Sequence, residues 1–256
     1  MSETTSQQEQ AMDQDQAQLN SQRELPVAEM TIVDHLQELR QRIIIALTAI
    51  IAGSTACYFF VEKIIAYIIR PAGKLYYMNP AEAFMAYIKT AVFSGFLLVL
   101  PIVLYQAWAF IVPALTRSER KLFVALMPVS VVLFYIGLAF SYFLVLPMAV
   151  TFFMGFATDT LQPMFSLGQY ISFVISLLFP FGFIFELPLF IMVLAKMGII
   201  SSTFLVSKRK VVLVGAFVVG GVVSPTPDIF GQLMLALPLM LLFEMSVWVI
   251  RVWFGK

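Results

Sequence analysis

Three carboxylates stand where this sequence could do chemistry. Glu186 is the only charged residue of 171–195, a run of apolar and small neutral side chains in the setting Phe185-Glu186-Leu187-Pro188. A charged side chain at that depth in a bilayer costs about 2.5–3.5 kcal/mol on insertion scales, so it persists where something uses it. Two uses fit: a carboxyl hydrogen-bonded to a neighbouring helix, or one lining a water-filled cavity. Pro180 and Pro188 each remove a backbone donor, free the carbonyls near Ser176 and Ile184, and bend the segment. Glu38 and Glu119 are different, because each falls where an amphipathic stretch meets an apolar span, beside Leu36 and Leu39 or Phe110 and Leu115. Carboxylates next to apolar patches suit a ligand with guanidinium groups followed by a hydrophobic segment, since Arg–carboxylate pairing can be bidentate. On spacing alone Glu38 can equally pair with Arg42, and Glu119 can cap its own helix.

Other chemistries lack their residues. There is no GxxxxGK[ST] and no HExxH, and a single His35 and a single Cys57 cannot complete a metal site or an internal disulfide. The sequence therefore argues against an enzyme, a bound metal or a cofactor. A net charge of +1 gives no basis for nucleic-acid binding.

The elements that must hold these carboxylates are membrane spans. The chain is 61% hydrophobic and 12% charged, with mean hydropathy +0.91, which marks a polytopic membrane protein built from helices. Residues 1–30 are rich in Gln, Ser, Glu and Asp, and are expected to form a disordered tail ahead of one membrane domain, 31–256. They lack the basic start and apolar centre of a secretory signal and are too acidic for a transit peptide, which suggests a bacterial protein. Thr31 to Asp34 and Thr116 to Glu119 have capping-box spacing, ahead of a first span over 43–61 and a third over about 122–146. The second covers 84–111 and the fourth carries Glu186. The last two, 211–223 and 233–250, have 13 and 18 residues and would reach only about 20 and 27 Å. Lys and Arg gather before span one, between two and three, between four and five, and after six. The positive-inside rule then gives six spans with both termini cytoplasmic. The 62–83 loop, with Lys63, Arg70 and Lys74, is the exception.

Several motifs recur in order along 31–254. His35-Leu36-Gln37-Glu38-Leu39-Arg40-Gln41-Arg42 has the form HLxELRxR, and Pro80-Ala81-Glu82-Ala83-Phe84 the form PxExF. Tyr105 to Leu115 is followed by Glu119-Arg120, and Phe185-Glu186-Leu187-Pro188, Val212 to Phe217 and Pro227-Asp228-Ile229-Phe230 come later. This set resembles the TatC family, the multispanning core of the twin-arginine protein translocase.

The resemblance implies an all-α, six-span, concave receptor in the bacterial inner membrane. It would recognise signal peptides with consecutive arginines on folded proteins. Its partners would be single-span TatA- and TatB-type subunits, further copies of itself and membrane lipid, with transport driven by the proton-motive force. Leu36, Glu38, Phe110, Leu115, Glu119 and Arg120 would then bind the signal peptide. Glu186, Ser224 and Gln232 would meet a partner helix within the membrane, and Pro80, Glu82, Phe84, Pro188 and Asp228 would be structural. A proton-coupled carrier that titrates Glu186 is the rival. Carriers usually show broken helices in corresponding halves, and spans one to three hold no counterpart of the Glu186 segment. An intramembrane hydrolase would lack its nucleophile–base pair.

Overall fold

The computed structural model describes residues 32–111, 117–158, 160, 163–224 and 228–254, and side chains over 35–110, 126–158, 160, 163–224 and 228–252. The expected tail, the Thr31 cap and the side chains of Leu115, Glu119 and Arg120 lie outside these. The chain divides into two units, Met1–Gln41 and Arg42–Lys256. Of the first, the described part is the helical stretch from Ile32.

In chain order the helices are α1 (Ile32–Tyr58), α2 (Val61–Ile68), α3 (Pro80–Ile111), α4 (Arg117–Phe140), α5 (Leu146–Met154), α6 (Leu167–Lys196), α7 (Ser202–Ser207), α8 (Arg209–Val223) and α9 (Ile229–Phe254). A π-turn, Ser141–Val145, joins α4 to α5. Among the described residues five segments are long and apolar enough to cross a membrane.

Two sequence expectations need correction. The third apolar segment does not stop near 146 but continues to Met154, because Pro147 falls in the first turn of α5. A missing N–H is harmless there, and the wider π-turn re-registers the helix ahead of it. The last helix is not short: α9 has 26 residues and spans about 39 Å. It starts earlier because Asp228 Oδ1 accepts the Gly231 N–H at 2.7 Å, capping the first turn. Gln232, just before the start expected from sequence, donates Nε2 to the Phe217 carbonyl of α8 at 2.7 Å. The helix before α9, namely α8, has 15 residues or about 22 Å and is shorter than a bilayer core.

The stretch read as the 62–83 loop opens on α2, a helix not expected from sequence, whose Val61, Ile65 and Ile68 are buried. The basic residues of this loop are partly accounted for by Arg70, which sits 4.7 Å above the Tyr67 ring. Tyr67 in turn stacks on Tyr142. A short bridge between Tyr76 and Ser166 joins this loop to the one before α6.

The core centres on α6, against which α4, α9 and α3 pack. Phe134 and Phe181 are fully buried. Close approach of α4 and α6 requires two glycines: a methyl at Gly137 would stand 2.5 Å from the Phe181 carbonyl oxygen, and one at Gly182 would overlap the Phe134 ring. Gly53 and Gly95 do the same for α1 and α3, with a methyl at Gly53 falling 2.8 Å from the Gly95 carbonyl. Small residues at such crossings are how helices associate in lipid, where no hydrophobic driving force brings them together.

Candidate functional site

Glu186 comes from the middle of α6, two residues before Pro188. Its Oε2 accepts a hydrogen bond from Ser130 Oγ of α4 at 2.8 Å. The same hydroxyl accepts from Trp108 Nε1 of α3 at 3.1 Å. Three helices thus converge on one carboxylate through a relay that runs indole, hydroxyl, carboxyl. Ser130 is fully buried, so the carboxylate and the indole give this hydroxyl an acceptor and a donor inside an apolar setting. Around the relay Leu126, Leu189 and Val193 form their own apolar cluster, with Trp108 and Leu133 packed against it. Glu186 Oε1 is buried and, among the described residues, has no hydrogen-bond partner. Such an atom can hold a polar group brought by a ligand or a second helix.

The signal-peptide set expected from sequence is only partly described. Leu36 is exposed and Glu38 half-buried on α1. Phe110 is half-buried near the end of α3. Glu119 and Arg120 fall in the first turn of α4. At this end Arg42 Nη1 donates to Gln106 Oε1 at 3.2 Å, linking α1 to α3.

Ser224 closes α8, its N–H donating to the Gly220 carbonyl at 2.9 Å, and its half-buried side chain lines a small hollow with Phe230 and Met234. Gln232 uses its amide nitrogen within the chain. At the opposite end of α3, Pro80 is the first helical residue and Phe84 is exposed. Glu82 accepts from the Met78 N–H at 2.8 Å, from the Gly168 N–H at 2.9 Å and from Ser166 Oγ. One carboxylate therefore ties the starts of α3 and α6 together. Sequence reasoning missed Ser130 and Trp108, since a serine and a tryptophan in apolar spans are ordinary residues. It also missed Ser166 as the partner of Glu82. Among the described residues no cluster of metal-ligating side chains forms.

The sequence model of the family described as "Sec-independent protein translocase protein (TatC)" matches residues 34–238. The chain is 40% identical over 232 residues to the Sec-independent protein translocase protein TatC of Escherichia coli, covering 88% of this chain and 90% of that protein. It is 39% identical over 226 residues to the protein of that name from Carboxydothermus hydrogenoformans, covering 87% and 93%. The chloroplastic relative from Arabidopsis thaliana is 36% identical over 227 residues, with 87% and 67% covered. Among solved structures it resembles a crystal structure described as the twin arginine translocase receptor TatC, with a TM-score of 0.74 and 38% identity. That match covers 85% of this chain and 98% of the other.

Proposed function

The chain belongs to the TatC family of Sec-independent protein translocase proteins, and from that membership we propose that it is the receptor and scaffold of a twin-arginine export system. It binds signal peptides carrying consecutive arginines on folded proteins. It assembles with single-span TatA- and TatB-type subunits and with copies of itself, and the proton-motive force drives transport. Its role is recognition and assembly, without catalysis. The observation that carries the reading is the similarity to a solved twin arginine translocase receptor across 98% of that receptor's length. The carboxylates support it: Glu38 and Glu119 pair with the two guanidiniums, and Leu36, Phe110, Leu115 and Arg120 also bind the signal peptide in this reading. In this reading Glu186 and Ser224 meet a partner helix or a deeply inserted signal peptide, and Gln232, engaged with Phe217, holds α8 against α9.

The direct test is capture of the detergent-solubilised protein on immobilised signal peptides. A peptide with paired arginines should retain it, and the same peptide with paired lysines should retain far less, because an ammonium cannot reproduce the bidentate contact. Equal retention on both would remove the recognition role.

We further propose six spans in the bacterial inner membrane with both termini cytoplasmic, α8 being the short fifth. With Cys57 replaced by Ala, a cysteine at exposed Ala157 should react with a membrane-impermeant thiol reagent added from outside, and one at exposed Ser207 should not. Ser166 is unsuitable for labelling, being buried against Glu82. The opposite labelling pattern would invert the protein and put Glu38 on the wrong side.

A further inference from the structure

Between α3 and α6 a groove opens near Pro80 and changes character along its length. Its outer part, about 750 Å³, is walled by Glu82, Lys89, Ser166, Ser172 and Ser176 among others. Its inner part, about 820 Å³, shares Lys89, Ser172 and Ser176 and continues along Val92, Phe96 and Phe179. With polar and apolar groups mixed at the helix ends and nearly all apolar groups along the helix, it follows the order of polarity in a phospholipid standing in its own leaflet.

Lys89 sits at the change. It lies nine residues after Pro80, about 13 Å along the axis, within the apolar span. Side chains in a helix lean toward its N-terminus, and a lysine stem runs along apolar surface with its head toward the interface. The ammonium is thereby carried back toward the Pro80 end. There it donates to Ser172 Oγ at 2.8 Å, while Ser172 donates to the Gly168 carbonyl at 2.8 Å. Among the described residues no carboxylate lies within 4.0 Å of Lys89 Nζ. Glu82, the acidic residue of the groove, is already held by Ser166, Met78 and Gly168. An ammonium has three donors, and Ser172 takes one. The groove therefore offers a cation to whatever enters it.

We propose that this groove binds an anionic phospholipid of the leaflet at the Pro80 end, with its phosphate on the Lys89 ammonium, which Ser172 holds in place, and one acyl chain along Val92, Phe96 and Phe179. The walls favour a lipid over a partner helix. Close helix association in membranes needs small residues at the contact. In the inner groove small residues, Ser172 and Ser176, stand only where the two parts meet, and the apolar path runs along Val92, Phe96 and Phe179, bulky groups that a flexible chain can follow.

The test is native mass spectrometry of the delipidated full-length protein titrated with phosphatidylglycerol or with phosphatidylethanolamine of the same chains. Phosphatidylglycerol should bind more tightly, and Lys89→Gln should weaken it about tenfold, the loss of one charge-assisted contact. Lys89→Arg should keep most of the affinity. Lys63→Gln, a lysine of α2 outside the groove, should change nothing. Val92→Trp should weaken both lipids alike by filling the acyl path. Thermal melting by circular dichroism establishes that each variant is folded, and the Arg variant separates loss of charge from loss of fold. Unchanged phosphatidylglycerol binding in Lys89→Gln, or an equal loss in Lys63→Gln, would overturn the site. In cells a photoreactive benzoylphenylalanine at Ile88 should yield a lipid adduct, and a polypeptide adduct would show the groove to be a helix-docking surface instead.

Discussion

Replacing Glu38 or Glu119 by alanine is expected to lower affinity for a twin-arginine signal peptide roughly ten- to a hundredfold. The size follows from the contact removed: a charge-assisted hydrogen bond contributes about 1.5–3 kcal/mol. The two positions differ in what they can lose. Glu38 is half-buried on α1 with apolar Leu36 exposed nearby, so truncation to alanine removes the charge with little loss of packing. Glu119 begins α4, where a carboxylate also favours the helix N-terminus by about 0.3–1 kcal/mol. Thermal melting of the Glu119→Ala variant without peptide separates the two effects, because the helix-terminus contribution is present in the unliganded protein and the peptide contact is not. Glu→Asp should cost less than Ala at either site where reach is not limiting. Crosslinking of a twin-arginine signal peptide at matched expression is the measurement. Wild-type crosslinking in both alanine variants would leave the peptide bound by something else.

The second large effect belongs to Glu186. Glu186→Leu is expected to abolish export of a folded twin-arginine reporter, and Glu186→Gln to keep much of it. Leucine leaves the fully buried Ser130 hydroxyl without its acceptor, and a buried polar group stripped of a partner costs about 1–3 kcal/mol. It also removes Oε1, the atom available to an incoming group. Glutamine keeps an acceptor for Ser130 and puts a donor or acceptor in the remaining position. Ser130→Ala should be milder than Glu186→Leu, since Oε1 stays in place. A proton-coupled carrier would behave otherwise, because glutamine cannot titrate and would stop coupled transport as fully as leucine. If Gln and Leu are equally dead while both still assemble with the single-span subunits, Glu186 works through its proton.

What could be read from the sequence was what shows locally. A lone carboxylate in an apolar run of 25 residues is conspicuous wherever the chain folds, so Glu186 stood out without a structure. Its partners did not, because Ser130 and Trp108 lie far off in sequence and carry no local mark among apolar neighbours. Glu82 was visible as part of a motif, but its contacts with Ser166 and Gly168 join residues 84 and 86 positions away. Span boundaries failed for a related reason. Pro147 lies just past the end expected for the third span and Gln232 just before the start expected for the last, and each is accommodated by something elsewhere: a π-turn ahead of the proline, and the Phe217 carbonyl for the glutamine. Helix α2 is too short for its burial to register as a span, and only its place against α3 explains its apolar face.

The central place of α6 bears on how the protein is made. Synthesis delivers α1, α3 and α4 first, yet α3 and α4 find their main common partner only when residues 167–196 emerge. Until then Gly137 has no Phe181 backbone to approach, Phe134 has no Gly182 to receive it, and Ser130 has no Glu186. The early helices are stable in lipid one by one because each satisfies its own backbone. Assembly is therefore a separate and later event than insertion, as in two-stage folding of membrane helices. Biogenesis turns on a late arrival, and a nascent chain halted before Leu167 holds inserted helices without the one around which the core closes.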